Sequence, residues 1–241
     1  MNGEFGEAYF SKYYGSGHAR PGPYFAGDRP WQALRVSGIL RRAGARRILE
    51  VGCGPGFFLR RWSGRVQAVG MDVSSFAVKA AAMRAPLRDV VLGDATTVPF
   101  KSNAFDAVVA FDVLEHIPSP PSALTEFARL LAENGVLVFS VPNTESVGRA
   151  IKGKDWFALR DHTHRSILDF QTWRGFIERT GLQVDNVWYD GMWDTPYFRI
   201  VPAAVQAACL KPLAILASFL GSSPRRMGET LFGVAVKRSK K

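Results

Sequence analysis

Glu50, Gly52, Gly54 and Gly56 alternate along one short stretch, Ile48-Leu49-Glu50-Val51-Gly52-Cys53-Gly54-Pro55-Gly56-Phe57-Phe58-Leu59. The chemistry such a spacing serves is the holding of a nucleotide-like ligand. Glycines take positive φ and let a ligand approach with no Cβ atoms in its way. An aliphatic run with an acid near its end predicts a strand, the glycines a tight turn, and Phe57–Leu59 the opening of a helix whose free N–H groups face the ligand. The spacing also discriminates among ligands. A dinucleotide fold needs Gly-x-Gly-x-x-Gly. Gly52 and Gly54 fit, but the third position falls on Phe57, too bulky for close helix–strand packing. Here the third glycine comes one residue early, at Gly56.

The elements that must position this loop read as βα units. Val66–Met71 predicts a second strand ending at Asp72, and Val90-Val91-Leu92-Gly93-Asp94-Ala95 a third with its own terminal acid. Phe105–Phe111 predicts a fourth, running into Asp112-Val113-Leu114-Glu115-His116, and Gly135–Asn143 a fifth. Glu-x-Gly-x-Gly-x-Gly followed by these stations in this order resembles the class I S-adenosylmethionine-dependent methyltransferases, of the type that modifies small molecules or glycans. The resemblance spans Ile48 to Asn143. It implies S-adenosyl-L-methionine as cofactor and an α/β fold: a doubly wound, Rossmann-like, mostly parallel seven-stranded sheet with an antiparallel edge strand and helices on both faces. It also implies that Asp72 takes the two ribose hydroxyls, for which an ionised carboxylate is a strong acceptor. Asp94 and the Ala95 backbone would meet the adenine, and Glu50, Gly52, Cys53, Gly54, Gly56, Val73 and Phe111 would complete the cofactor site.

A chain of 241 residues with 47% hydrophobic content can bury a full core as one domain. Its expected parts are an N-terminal lid or helix over 1–43, a cofactor-binding βα core over 44–143, and an acceptor-side half over 144–241 with an apolar helical insertion at about 196–224. Met1–Glu7 is acidic and polar, without the apolar segment of a secretory signal. Cys53 and Cys209 give neither a disulfide framework nor metal-ligand spacing. The cytoplasm is the expected compartment. Pro30–Ala43 reads as a helix with Trp31, Leu34, Ile39, Leu40 and Ala43 on its apolar side, and Pro120–Glu133 as a crossover helix with Leu124, Phe127, Leu130 and Leu131 inward. Ser166-Ile167-Leu168-Asp169 has capping-box spacing ahead of a stripe of Phe170, Trp173, Phe176 and Ile177. Leu182–Asp190 and Thr230–Lys237 read as the last two strands.

Methyl transfer from a sulfonium is an in-line displacement whose leaving group departs neutral, so the protein contributes mainly positioning and exclusion of water. A base is needed only where the acceptor must lose a proton, as a hydroxyl does. Four histidines are available. His116 follows the fourth strand, at the sheet edge where ligands bind; by the resemblance it could form, with Asp112 and Glu115, a set that approaches the acceptor or a divalent metal, or merely shape the loop. Asp161-His162-Thr163-His164-Arg165 offers a second candidate. Residues two apart in an extended segment face opposite sides, so one histidine turns inward, and His162 is taken as that one. His-x-His with Asp161 lacks a third and fourth ligand, so no metal site is expected. Tyr9, Tyr13 and Tyr14, with Phe10, Tyr24 and Phe25 nearby, would form either a lid over the site or a helix packed on the sheet edge.

The net charge is +10, from 31 basic and 21 acidic residues. The basic residues are scattered, with small clusters at Arg41-Arg42, Arg46-Arg47, Arg60-Arg61 and Lys237–Lys241, and no RNA-binding module is appended. Nor does the fourth strand end in the Asn/Asp-Pro-Pro-aromatic motif of base-modifying amino-methyltransferases. A nucleic-acid partner is therefore not expected. Residues 200–220 are almost continuously apolar, about a membrane span in length, but Lys211-Pro212, Gln206 and Pro202 place charge and kinks inside them. Two short helices between the last two strands are predicted instead. They would cap the acceptor site or form a homodimer surface. Arg199, Lys211, Arg225 and Arg226 alongside also suit peripheral docking on anionic lipid. The expected function is O-methylation of a small-molecule, glycan or lipid-linked acceptor. The readings of other classes are a non-catalytic cofactor-binding regulatory or partner subunit, and an RNA or protein methyltransferase.

Overall fold

A computed structural model describes residues 4–14, 29–62, 64–84, 89–198, 200–219 and 224–238. Tyr24 and Phe25, and the side chain of Tyr14, lie outside the described residues. Seven strands, β1 (Arg47–Val51), β2 (Gln67–Asp72), β3 (Val90–Leu92), β4 (Phe105–Phe111), β5 (Leu131–Pro142), β6 (Leu182–Asp190) and β7 (Thr230–Lys237), form one sheet in the order β3-β2-β1-β4-β5-β7-β6. The pairings from β3 through β5 are parallel, whereas β7 runs antiparallel to both β5 and β6. β7 is thus the reversed strand, and it lies one place in from the edge that β6 forms.

Near-continuous aliphatic strands follow from burial on both faces. Leu49, Val51, Val108, Ala110, Leu137 and Phe139 face one apolar layer, closed by α4 (Pro120–Leu130) and α7 (Phe170–Arg179) through Leu124, Phe127, Trp173 and Ile177. The alternate residues Ile48, Ala107, Val109, Val136 and Val138 face the other, closed by α2 (Pro30–Arg42) through Ala33, Val36 and Leu40. A third, smaller cluster joins α1 (Glu7–Tyr14) to α3 (Ser75–Arg84) through Phe10 and Ala77. Because β2 and β4 flank β1, the chain leaves β1 in opposite directions. That switch opens a crevice at the C-terminal ends of the central strands.

Several local expectations change. No α-helix opens after the glycine loop; turns lead into a 3₁₀ turn at Leu59–Arg61, so no long helix aims its N–H groups at the crevice. The buried stripe of α2 is Gln32, Ala33, Val36 and Leu40, while Leu34 is 60% exposed. Gln32 is interior because its Oε1 accepts a 2.9 Å hydrogen bond from Trp188 Nε1. α4 ends at Leu130, and β5 begins at once at Leu131. The cap of α7 is Asp169, which accepts from Thr172 N at 2.9 Å. Ser166 is instead tied to the Ile117 carbonyl. Residues 203–219 form one helix, α8 (Ala203–Phe219), rather than two, since Pro212 removes one backbone donor without ending it.

The β5–β7 pairing puts Gly233 opposite Phe139, where a Cβ would come within 2.3 Å of the buried ring. Gly233→Ala should therefore lower unfolding free energy by about 1–3 kcal/mol, the usual cost of overpacking. Urea denaturation checks it, and unchanged stability would place that ring elsewhere.

Candidate active site

The crevice holds a cavity lined by Gly52, Gly54, Asp72, Val73, Asp94, Ala95 and Phe111, with Phe5, Tyr9 and Phe10 of the N-terminal segment closing it. Its walls are mostly apolar, with a few convergent polar groups, as in small-molecule and cofactor sites. Glu50, Cys53 and Gly56 do not line it. Glu50 and Cys53 are buried behind the loop, and burial pushes the Cys53 thiol well up, which leaves it inert. Gly52, Gly54 and Gly56 have φ of +67°, +51° and +80°. A Cβ on Gly52 would also strike Val113 at 2.2 Å.

Asp72 organises this half. Its Oδ2 accepts from Gly54 N and its Oδ1 from Ser74 N, both at 2.8 Å. One carboxylate thus pins the glycine loop to the end of β2. Each carboxylate oxygen can accept a further bond, which suits a vicinal diol. Burial raises the Asp72 carboxyl to about 6, against the downward pull of the Ser74 and Gly54 N–H groups. Asp94 is held by Thr96, whose N and Oγ1 donate to Oδ1 at 2.8 and 2.7 Å. A diol acceptor, bare glycine backbone and apolar walls fit S-adenosylmethionine.

A second cavity adjoins the first. It is lined by Tyr9, Lys12, Tyr13, Asp112, Glu115, His116, Phe157, Arg160, Asp161 and His164, and it shares Tyr9, Asp112 and His116 with the first. Asp112 has a φ of +53°, and Ser140 clamps it by accepting from its N and donating to its Oδ1. α1 therefore lies over both cavities, held by Tyr13 OH donating to Asp161 at 2.6 Å, by Ser74 Oγ donating to the Phe5 carbonyl, and by a Glu4–Arg165 ion pair.

The histidine that turns inward is His164. His162 is exposed and lines neither cavity. The reason is local: His164 Nδ1 donates to the Ala158 carbonyl at 2.7 Å, and its ring sits 4.5 Å from that of His116. His116 Nδ1 lies 3.0 Å from Thr163 Oγ1, which spends its single proton on Asp161 Oδ1 at 2.6 Å. Thr163 must therefore accept from His116 Nδ1–H, leaving Nε2 as a bare lone pair. Burial, then the neighbouring His164, lowers His116 to about 3, so the imidazole is neutral. Burial would raise Asp161, but hydrogen bonds from Thr163 and Tyr13 hold it down at about 2. Glu115 is 1% exposed, its carboxyl is raised well above the usual range by burial and by Asp112, and its Oε2 has no hydrogen-bond partner. Glu115, His116 and His164 bring one donor atom each within 4.8 Å of one another, a set that could hold a cation.

Spacing gave no sign of the struts behind this cavity. Buried Glu229, at the start of β7, accepts from Trp156 Nε1 at 2.5 Å and from Tyr197 OH at 2.6 Å. Buried Asp194 accepts from Phe157 N and pairs with Lys152, the last residue of α5 (Val147–Lys152), and with Arg160, so it fixes α6 (Phe157–Arg160) as the cavity wall. Neither carboxylate lies in a motif, and only the fold brings their partners together.

Residues 27–187 match a family model described as a methyltransferase domain. A ubiquinone biosynthesis O-methyltransferase of Alkalilimnicola ehrlichii is 36% identical over 41% of this chain and 42% of its own. A malonyl-[acyl-carrier protein] O-methyltransferase of Legionella pneumophila is 36% identical over 49% and 43%. The match thus spans less than half the length of these curated relatives. A crystal structure of a SAM-dependent methyltransferase from Archaeoglobus fulgidus superposes with a TM-score of 0.59 at 19% identity, covering 95% of this chain and 98% of that one.

Asp72→Ala should weaken S-adenosylmethionine binding by roughly 1.5–3 kcal/mol, the worth of a hydrogen bond to a charged group. Calorimetric titration checks this, and unchanged affinity would remove Asp72 from the site. A diol needs the ionised carboxylate, so affinity should be level above pH 7 and should fall through about 6 toward lower pH, with proton release on binding. The stability contribution has the opposite sign: Asp72 favours the empty fold fully below its unfolded value of 3.8 and loses this as pH rises through 6. Titration across pH in two buffers of different ionisation enthalpy reads the proton, and a flat profile would contradict the assignment.

Proposed function

The chain belongs to the class I S-adenosylmethionine-dependent methyltransferase family, with S-adenosylmethionine as cofactor, and on that premise we propose that it methylates a hydroxyl of a small-molecule, glycan or lipid-linked acceptor seated in the second cavity. The observation that carries this reading is the shared wall. The cofactor cavity and the second cavity meet at Tyr9, Asp112 and His116, and the polar cluster with a bare imidazole nitrogen stands at that junction. When bound, S-adenosylmethionine supplies a sulfonium methyl to an in-line nucleophile and leaves as the neutral thioether.

The residues of the chain do the rest. Burial keeps His116 neutral, so Nε2 accepts the acceptor O–H rather than repelling it. As the oxygen takes the methyl, its proton passes to Nε2, and the imidazolium that forms is stabilised through Thr163 by the ionised Asp161. Tyr9 stays a neutral phenol, because burial, then Asp161, raises it. α1 covers both cavities and excludes the water that would compete for the junction. Two relatives named O-methyltransferases support the choice of an oxygen as the acceptor atom. A second reading is favoured by the orphaned Oε2 of Glu115: a divalent cation on Glu115, His116 and His164 would make the same hydroxyl more acidic and take over the role of the base.

The experiment is formation of S-adenosylhomocysteine from S-adenosylmethionine in the presence of polar, lipid and RNA fractions of a cell extract. Turnover is expected with the polar or lipid fraction. His116→Gln should lower kcat by about 10²–10⁴, the usual contribution of a positioned base, with cofactor affinity unchanged. His162→Ala should leave both unchanged. Loss of turnover on chelation, restored by a divalent ion, would select the second reading. Retained cofactor without product from any fraction would mean a non-catalytic binding subunit.

A further inference from the structure

α8 is apolar nearly all round, which is the mark of a buried helix, yet one side of it faces solvent. Its inner side is held by Gln206, which accepts from the N–H groups of Tyr197 and Phe198 and donates to the carbonyls of Phe198 and Val201. At 100° per residue, Val205, Cys209, Pro212, Leu213 and Leu216 fall within one arc of about 100° that adjoins the side of Gln206. Every described exposed side chain on α8 is apolar, with Leu213 63% and Leu216 57% exposed. The segment leading in adds Phe198 at 55% and Ile200 at 96%. No described residue of α8 lines either cavity. A continuous apolar face of this kind marks an interaction surface.

Charge selects the occupant. From Pro196 to Gly228 the chain carries Arg199, Lys211, Arg225 and Arg226 and no acidic residue, within a protein of net charge +10. Arg225 and Arg226 are exposed just after the helix. Glu145 pairs with Arg225, and Arg226 makes no ion pair among the described residues. A second copy docked on this face would set the same cations against one another, whereas an anionic bilayer complements them. A helix of 17 residues extends about 26 Å, short of the roughly 30 Å hydrocarbon core, and no described helix is long and apolar enough to cross a membrane. We infer that α8 lies in the interface of an anionic lipid bilayer, its Val205–Leu213–Leu216 face among the acyl chains and Arg225 and Arg226 at the headgroups. A chain of contacts links α8 to the second cavity: the loop that Gln206 holds also carries Trp193, whose ring is 4.4 Å from Phe157, and Asp194, which fixes Arg160. The inference goes beyond the proposed reaction and does not depend on it.

The test is co-sedimentation of the full chain with vesicles of phosphatidylcholine alone and of phosphatidylcholine with phosphatidylglycerol. Binding is expected to the anionic vesicles only, and to weaken with added salt. L213E with L216E should reduce it about tenfold or more, as should R225Q with R226Q. Both pairs lie on the surface, and unchanged calorimetric affinity for S-adenosylhomocysteine would show that the variants fold. No binding of the wild type to either vesicle would overturn the inference, as would equal binding by the L213E/L216E variant. A dimer in solution that this variant dissolves, without lipid binding, would assign the face to a second copy instead.

Discussion

The cofactor half depends on one buried carboxylate. Asp72 ends β2, and its two oxygens take the N–H groups of Gly54 and Ser74, so the glycine loop, the end of the strand and the start of α3 are joined at a single point. Hydrogen bonds to a charged acceptor are the stronger kind, and burial leaves little water to compete for them. Burial also raises its pKa, so the site keeps a carboxylate whose charge is incompletely satisfied until a ligand brings more donors. The glycines are needed because the backbone must come within reach of that oxygen at positive φ, and because Val113 fills the space where a Cβ on Gly52 would stand.

The acceptor half is built on a different principle. Here buried acids act as struts. Glu229 gathers Trp156 and Tyr197, and Asp194 gathers Lys152, Phe157 and Arg160, which fixes the connection after β5 as a wall. On that wall Asp161 orients Thr163, and Thr163 orients His116. α1 closes the arrangement by placing Tyr9 against both cavities and Tyr13 on Asp161. A shift of any strut would move the junction between the cavities, although no strut touches the shared wall.

The cofactor half was legible in the sequence because its parts are local. Strand, glycine turn and terminal acid follow one another within short windows, and the two last strands appear with the expected limits, Leu182–Asp190 and Thr230–Lys237. What escaped depends on contacts distant in sequence. The buried phase of α2 departs from the one its apolar residues mark because Gln32, polar by type, is interior through its bond to Trp188. His162 and His164 cannot be told apart by alternation, since the choice rests on the Ala158 carbonyl taking His164. Glu115 and His116 were visible as a pair, but the third member of their cluster arrives from beyond β5. Pro212 suggested a break that the helix tolerates.

The most direct measurement is a crystal structure of the chain with S-adenosylhomocysteine bound. The ribose hydroxyls should lie on Asp72, the adenine beside Asp94 and Ala95, and the sulfur should point at the wall shared by Tyr9, Asp112 and His116. A sulfur directed away from that wall, or a ribose held elsewhere, would contradict the account at its centre.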